Sequence, residues 1–137
     1  MTGELDLAKL LKNMSPSLDP EIYIFACVAT DQIAQVFPHK PLATFQEHEG
    51  TTVILAKGSA EQLNINFDAD YRRITLQVHS SLEAVGLTAA VSTRLADNMI
   101  SANVVAAFYH DHIFVPANDA EKALLLLEEL VDECRDA

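Results

Sequence analysis

The sequence has little positive charge. Its 137 residues include nine Lys and Arg against twenty Asp and Glu, which gives a formal net charge of −11. The clustered basic residues are Arg72 and Arg73 alone. A phosphate backbone or an anionic membrane surface would be repelled by such a chain. We therefore expect neither nucleic acid nor a membrane as a partner.

Cysteine and long apolar runs are also scarce. Cys27 and Cys134 lie far apart and form no CxxC or Cys/His spacing, which argues against a disulfide framework and a structural zinc. Both are expected to be buried free thiols. No apolar stretch approaches membrane-spanning length, and charged residues interrupt the leucines of the first 14 positions, unlike a signal peptide. These features predict a cytoplasmic protein.

The residues that are present predict a mixed α and β core. Half of them are hydrophobic, enough for a core without covalent staples. In the first half, periodicity predicts a helix over 6–14 with Asp6 as N-cap, a buried strand over 22–29, and a hairpin around Gly50. The hairpin strands cover 42–48 and 51–57, and a short helix capped by Ser59 follows over 59–64.

The second half has a clearer pattern. An alternating strand starts at residue 72 and leads through a corner at 80–86 into a helix with a stripe of Leu87, Val91, Leu95 and Met99. A strand over 103–109 and a turn at 110–112 precede a strand over 113–115. A long helix follows, with the capping-box spacing of Asn118 and Glu121, and Leu125 and Leu126 widen its apolar face.

The two halves repeat one order of elements. Each gives a strand, a connection, a strand, a tight turn, a strand and a helix, which indicates two βαββαβ units. We expect an α+β fold with an antiparallel sheet and helices on one face. The predicted units are residues 1–70, which would be degenerate and carry the first helix, and residues 71–137.

The corner after the alternating strand could bind a small ligand. A helix that begins near Gly86 has unpaired N–H groups and a positive dipole end, which together favour a carboxylate. Ser80 and Ser81 add hydroxyls, and Glu83 could face an ammonium group. An α-amino acid carries both charges. Alternatively, the two serines simply cap the helix and turn the chain.

A second cluster surrounds the later turn. His110, Asp111 and His112, together with His79 and Tyr109, could in principle form a metal or acid-base site. Residues two apart in a tight turn usually point apart into solvent, however, and no second ligand pair has a recognisable spacing. We therefore predict no catalytic residues, no metal site, no cofactor and no enzyme activity.

The segment ITLQVHSSLEAVGLTAAVSTRLADNMISANVVAAFYHDHIFVP resembles the ACT domain family. Nearly all of the chain is similar to stand-alone bacterial tandem ACT proteins, and its second unit is similar to the regulatory ACT domains of aspartate kinases. The resemblance implies ferredoxin-like βαββαβ modules that bind amino acids and regulate an attached or associated protein. In this family the ligand usually lies at an interface between two ACT units.

The resemblance also implies a set of ligand-binding residues. They come from the corner and from the start of the next strand: Ser80, Ser81, Leu82, Glu83, Val85, Gly86, Leu87, Thr88, Asn103 and Val104. The first unit lacks a glycine corner after Ala29. The implied function is that of a homodimeric, amino-acid-binding regulator of a separate protein. The alternatives are a structural module without a ligand and a small enzyme that uses residues 109–112.

Overall fold

The computed structural model describes residues 6–78 and 85–136. Its helices are α1 (Leu7–Asn13), α2 (Ile33–Val36), α3 (Lys57–Gln62), α4 (Leu87–Ala96) and α5 (Ala120–Arg135). Its strands are β1 (Pro16–Leu18), β2 (Tyr23–Val28), β3 (Ala43–Gln46), β4 (Thr51–Ala56), β5 (Tyr71–Leu76), β6 (Asn103–Ala106) and β7 (Asp111–Pro116). Short 3₁₀ turns flank α2 and precede α5.

The chain divides into two compact units. The terminal unit consists of Met1–Pro20 and Arg72–Ala137, and the inserted unit is Glu21–Tyr71. The inserted unit therefore interrupts the terminal unit along the chain. The division into residues 1–70 and 71–137 concerns repeats along the sequence and stays a prediction.

The terminal unit has a sheet in the order β1, β5, β7, β6. Strand β1 is antiparallel to β5, and β6 is antiparallel to β7. Alternate residues of β5 and β7 pack with the helices because successive side chains of a strand point to opposite faces. The shared core contains Ile74, Leu76, Ile113 and Val115 from the strands and Leu10, Leu95 and Leu127 from the helices.

The inserted unit contributes antiparallel strands and has its own core. Strand β4 lies between β3 and β2, and Tyr71 pairs with Tyr23 on the other side of β2. The buried core residues are Ile24, Val28, Val36, Val53, Leu55 and Ala60. The expected α+β fold, with an antiparallel sheet and helices on one face, is thus confirmed.

Local signals predicted some element ends and missed others. Asp6 caps α1 as predicted, since its carboxylate accepts a hydrogen bond from the Lys9 N–H at 3.1 Å. The cap at Ser59 was wrong because α3 already begins at Lys57. The capping box at Asn118 was also wrong, because a 3₁₀ turn occupies 117–119 and no side chain caps α5.

The stripe predicted for α4 ends earlier than expected. Helix α4 stops at Ala96, and Met99 is 91% exposed with a left-handed φ of 61°. Ile100 takes the buried position instead, with 4% of its surface exposed. The left-handed residue redirects the chain, so the helical period no longer applies beyond it.

Cys27 is exposed, so the prediction of a buried thiol was wrong for this residue. It lies on the face of β2 opposite to Val28, which belongs to the core. The apolar run of β2 is therefore packed mainly on one face rather than on both. Cys134 is half-buried.

Candidate functional site

At the corner that precedes α4, the first helix N–H groups have no acceptor among the described residues. Gly86 is the N-cap with φ 102°, and the first helical bond runs from the Ala90 N–H to the Gly86 carbonyl at 2.8 Å. The N–H groups of Leu87, Thr88 and Ala89 lie ahead of that bond, so they have no acceptor within the helix. Among the described residues no side chain caps α4. This geometry favours an anion.

Only part of the predicted corner can be placed. Ser80, Ser81, Leu82 and Glu83 lie outside the described residues, so their roles stay predictions. Val85 is 81% exposed and Thr88 is exposed. Leu87 is buried in the core, where it anchors the start of α4.

Gly86 packs against Leu7, a contact that the sequence did not indicate. A Cβ atom at this position would lie 2.9 Å from Cδ2 of Leu7, the first residue of α1. The positive φ favours glycine at this position, and a larger residue would also displace the Leu7 side chain. Backbone conformation and packing together therefore explain this glycine without any ligand.

A shallow hollow opens beside Gly86. Its volume is about 510 Å³, and its apolar lining comes from Leu7 on α1, Ala89 and Ala90 on α4, and Leu130 on α5. Arg94 also lines it and donates two hydrogen bonds to the Glu133 carboxylate, at 2.9 and 2.6 Å. That bond raises the pKa of Arg94 and lowers the pKa of Glu133.

Asn103 and Val104 lie at the start of β6. Asn103 is exposed, and its Nδ2 donates to the Phe114 carbonyl at 3.4 Å, whereas Val104 packs against the core. Strand β7 separates β6 from β5, the strand that leads to the corner. The described hollow beside Gly86 does not include Asn103.

The histidine turn differs from its prediction. The tight turn covers 107–110, closed by a bond from the Ala107 N–H to the His110 carbonyl at 3.1 Å, so Asp111 and His112 already belong to β7. Nδ1 of His112 is 2.9 Å from Oγ1 of Thr75, and Nδ1 of His110 is 3.5 Å from the Val78 carbonyl. The expectation that both histidines point into solvent was wrong.

The polar side chains of this cluster do not meet at one site. Asp111 shares the face of Ile113 and Val115 and is 9% exposed, whereas His112 lies on the opposite face. Burial raises the pKa of Asp111 and lowers the pKa of His112. Tyr109 is 55% exposed, and His79 lies outside the described residues. Within residues 6–78 and 85–136, no three His, Cys, Asp or Glu side chains could hold a metal ion.

The prediction that Asp111 lies in the turn was also wrong. Asp111, Ile113 and Val115 continue one alternating face of β7. Thr51 holds the same place in the inserted unit, as the first residue of β4. Thr51 and Asp111 are the buried polar residues of the part of the chain that the structure describes.

The helices give no sign of a membrane span. Over the described ranges, no helix combines the length and the apolar character needed to cross a bilayer.

Comparisons with known proteins agree with the two-unit fold. Two family models of the ACT domain match the chain, over residues 2–72 and 68–129. A solved Vibrio cholerae protein of unknown function, described as a possible transport protein, is 46% identical with a TM-score of 0.82. The alignment covers 91% of this chain and 95% of that one.

More distant structures share the fold. An Agrobacterium tumefaciens protein is 18% identical with a TM-score of 0.67, over 86% of this chain and 89% of that one. The ligand-free regulatory subunit of aspartate kinase from Thermus thermophilus is 12% identical with a TM-score of 0.63, over 88% and 97% of the two chains. Among curated proteins the comparison found no match.

Proposed function

Because the chain belongs to the ACT domain family, we propose that it is a regulatory protein that binds an α-amino acid. The ligand is bound and released without any covalent change, so the protein is not an enzyme. Its response to the ligand is passed to a separate protein partner in the cytoplasm.

The start of α4 is the observation that carries this proposal. The N–H groups of Leu87, Thr88 and Ala89 precede the first helical bond, and no described side chain caps them. A carboxylate at this position would accept hydrogen bonds and meet the positive end of a ten-residue helix. The apolar hollow beside Gly86 would offer space to the ligand's side chain.

The other contributors remain part of the proposal. Ser80 and Ser81 would bond the carboxylate and Glu83 the ammonium group, while Leu82 and Val85 would supply apolar contact. Asn103 and Val104 would come from the start of β6 in a second copy of the chain, since β7 separates that strand from the corner within one unit.

The edge of the terminal sheet supports a homodimer. Strand β6 ends the order of strands in this unit, so its outer N–H and C=O groups can pair with another strand. Two copies joined there would give each site residues from both chains. A ligand that binds better to the dimer stabilises the dimer, and by linkage the dimer binds the ligand better.

A thermal-shift screen over the proteinogenic amino acids tests the proposal. At a free concentration of 100 Kd, a specific ligand adds about 2.7 kcal/mol to the free energy of unfolding, which raises the melting temperature by several degrees. We expect such a shift from one amino acid or a few related ones. The proposal fails if none of them shifts the melting temperature.

A matched pair at Thr88 tests the site itself. Thr88→Asp places a carboxylate in the first turn, which stabilises the helix by about 0.3–1 kcal/mol. The same charge repels a ligand carboxylate and lowers its affinity by roughly tenfold or more. Thr88→Asn is the neutral control of equal size and should bind nearly normally. Equal affinities of the two variants would contradict the carboxylate position.

A structural module without a ligand is the second candidate. The contact between Leu7 and Gly86 favours it, because it explains the glycine of the corner by packing. This candidate predicts an intact dimer in analytical ultracentrifugation and no response to any amino acid.

A further inference from the structure

We propose that the inserted unit holds a second and independent ligand site, for a small uncharged molecule that presents a hydrogen-bond donor next to an acceptor. A carboxamide and a cyclic amide share this chemistry. The site is a hollow between α2 and residues 63–66. It goes beyond the proposed function, which places the amino acid in the terminal unit.

Four exposed residues with carboxamide side chains line this hollow, and they come from two separate segments. Gln32 and Gln35 come from the connection that follows β2, and Asn64 and Asn66 come from the segment that follows α3. Each carboxamide offers two N–H donors and one carbonyl acceptor. Together they can match the paired donor and acceptor of another amide.

The lining carries no charge. Among the described residues, no Lys, Arg, Asp or Glu lines the hollow, although charged residues make up 21% of the chain. A charged ligand would lose hydration there without gaining an opposite charge. The hollow therefore favours neutral ligands over free carboxylates or ammonium groups.

Apolar side chains form the rest of the wall. Val28 and Val36 are buried core residues of the inserted unit, and Leu63 and Ile65 pack against that core. The volume is about 230 Å³. This is below the roughly 300–1,000 Å³ of pockets for drug-sized ligands, so the occupant is small. A flat molecule with one polar edge fits such a lining.

Parts of the hollow are already held in place. The side-chain Oε1 of Gln32 accepts a hydrogen bond from the Ala29 N–H at 3.3 Å. Asn64 has a left-handed φ of 55°, and its N–H donates to the Glu61 carbonyl at 3.2 Å. The side chains of Gln35 and Asn66 form no hydrogen bond with another described residue, so their amides remain available to a ligand.

Cys27 gives this site its own reporter. Cys27 is exposed and is one of the residues that line the hollow, whereas Cys134 belongs to the terminal unit. In a Cys134→Ala chain, the rate at which methyl methanethiosulfonate modifies Cys27 can be followed by mass spectrometry. A molecule bound in the hollow should slow this modification several-fold.

The probes are acetamide and propionamide for carboxamides, uracil for cyclic amides, and acetate and propionate as charged controls. Protection by the two carboxamides alone identifies a carboxamide ligand, and protection by uracil alone identifies a cyclic amide. No protection by any amide probe overturns the proposal. Equal protection by propionate overturns its claim of a neutral ligand.

Two variants separate this site from the corner. Gln35→Leu keeps the size of an exposed side chain, removes its amide and should abolish the protection of Cys27. Thr88→Asp, which weakens the corner, should leave that protection in place. Its loss in Thr88→Asp would assign the effect to the corner and overturn the second site. If Gln35→Leu does not fold, the test uses NMR of the unsubstituted chain. The signals of the side-chain NH₂ groups that line the hollow must then shift when the probe is added.

Discussion

The two units share one hairpin and differ in the connection before it. Strands β3 and β4 recur as β6 and β7 with bounds that are sixty positions later. Both hairpins close with a backbone bond across a four-residue turn, over 47–50 and over 107–110. The preceding connection covers 29–42 in the inserted unit and 77–102 in the terminal unit, and the longer one contains α4.

This difference bears on the proposed anion site. The shorter connection is helical over residues 30–39, but 3₁₀ turns flank the four-residue α2, and their poorer hydrogen-bond geometry weakens the dipole of this run. Helix α4 has ten residues, and no described side chain caps its first N–H groups. The hairpin is common to both units, whereas the connection differs, and the proposed carboxylate site lies in the longer one.

The largest effect should come from the core beneath α4. Leu95→Ala removes a side chain with no exposed surface, and we expect a loss of roughly 2–5 kcal/mol in the free energy of unfolding. Leu63→Ala changes a partly buried residue of the inserted unit and should cost clearly less. Urea unfolding measures both. Equal losses would show that α4 adds no more to stability than the short helices.

Replacing each of two glycines by alanine should change the free energy of unfolding in opposite directions. Gly86→Ala meets Leu7 and a φ of 102°, so we expect a cost of roughly 1–3 kcal/mol. Gly58 lies in α3 with open space around it, so Gly58→Ala should stabilise by about 0.5–1 kcal/mol. Thermal and urea unfolding measure both changes. A neutral Gly86→Ala would contradict the strained corner.

The smallest effect concerns the first residues of β4 and β7. Burial raises the pKa of Asp111, so its carboxylate weakens the fold once the pH rises above the ordinary value of about 4. Asp111→Asn should therefore raise the melting temperature at neutral pH, with a gain that shrinks as the pH falls toward about 4.

The matching change in the inserted unit is the control. Thr51→Val alters a buried hydroxyl that carries no charge, so its effect should not vary with pH. Melting temperatures between mildly acidic and neutral pH compare the two variants. A gain for Asp111→Asn that grows on acidification would contradict a raised pKa of Asp111 in the folded chain.

The sequence predicts the elements that local patterns specify. The alternation of β5, the turn at Gly50 and the cap at Asp6 depend on near neighbours, and each is found. Strand β1 was missed because three residues become a strand only by pairing with β5. The exposure of Cys27 likewise depends on which face of β2 is packed.

In the candidate site, too, the sequence predicts local features but not contacts between distant residues. Gly86 predicts the start of α4, since glycine is the residue that tolerates its left-handed backbone. The approach of Leu7 could not be predicted, because it joins residues that are almost eighty positions apart. The prediction of Asp111 as a turn residue was wrong because the turn closes at His110, two positions before the predicted end at residue 112.

The central claim is that the start of α4 binds the carboxylate of an amino acid. Two-dimensional NMR of the ¹⁵N-labelled chain, titrated with an amino acid from the thermal-shift screen, tests it most directly. We expect the backbone amide signals of Leu87, Thr88 and Ala89 to shift the most, and those of Leu87 and Ala89 to shift much less in Thr88→Asp at the same ligand concentration. Shifts confined to the inserted unit, or none with any amino acid, would contradict the claim.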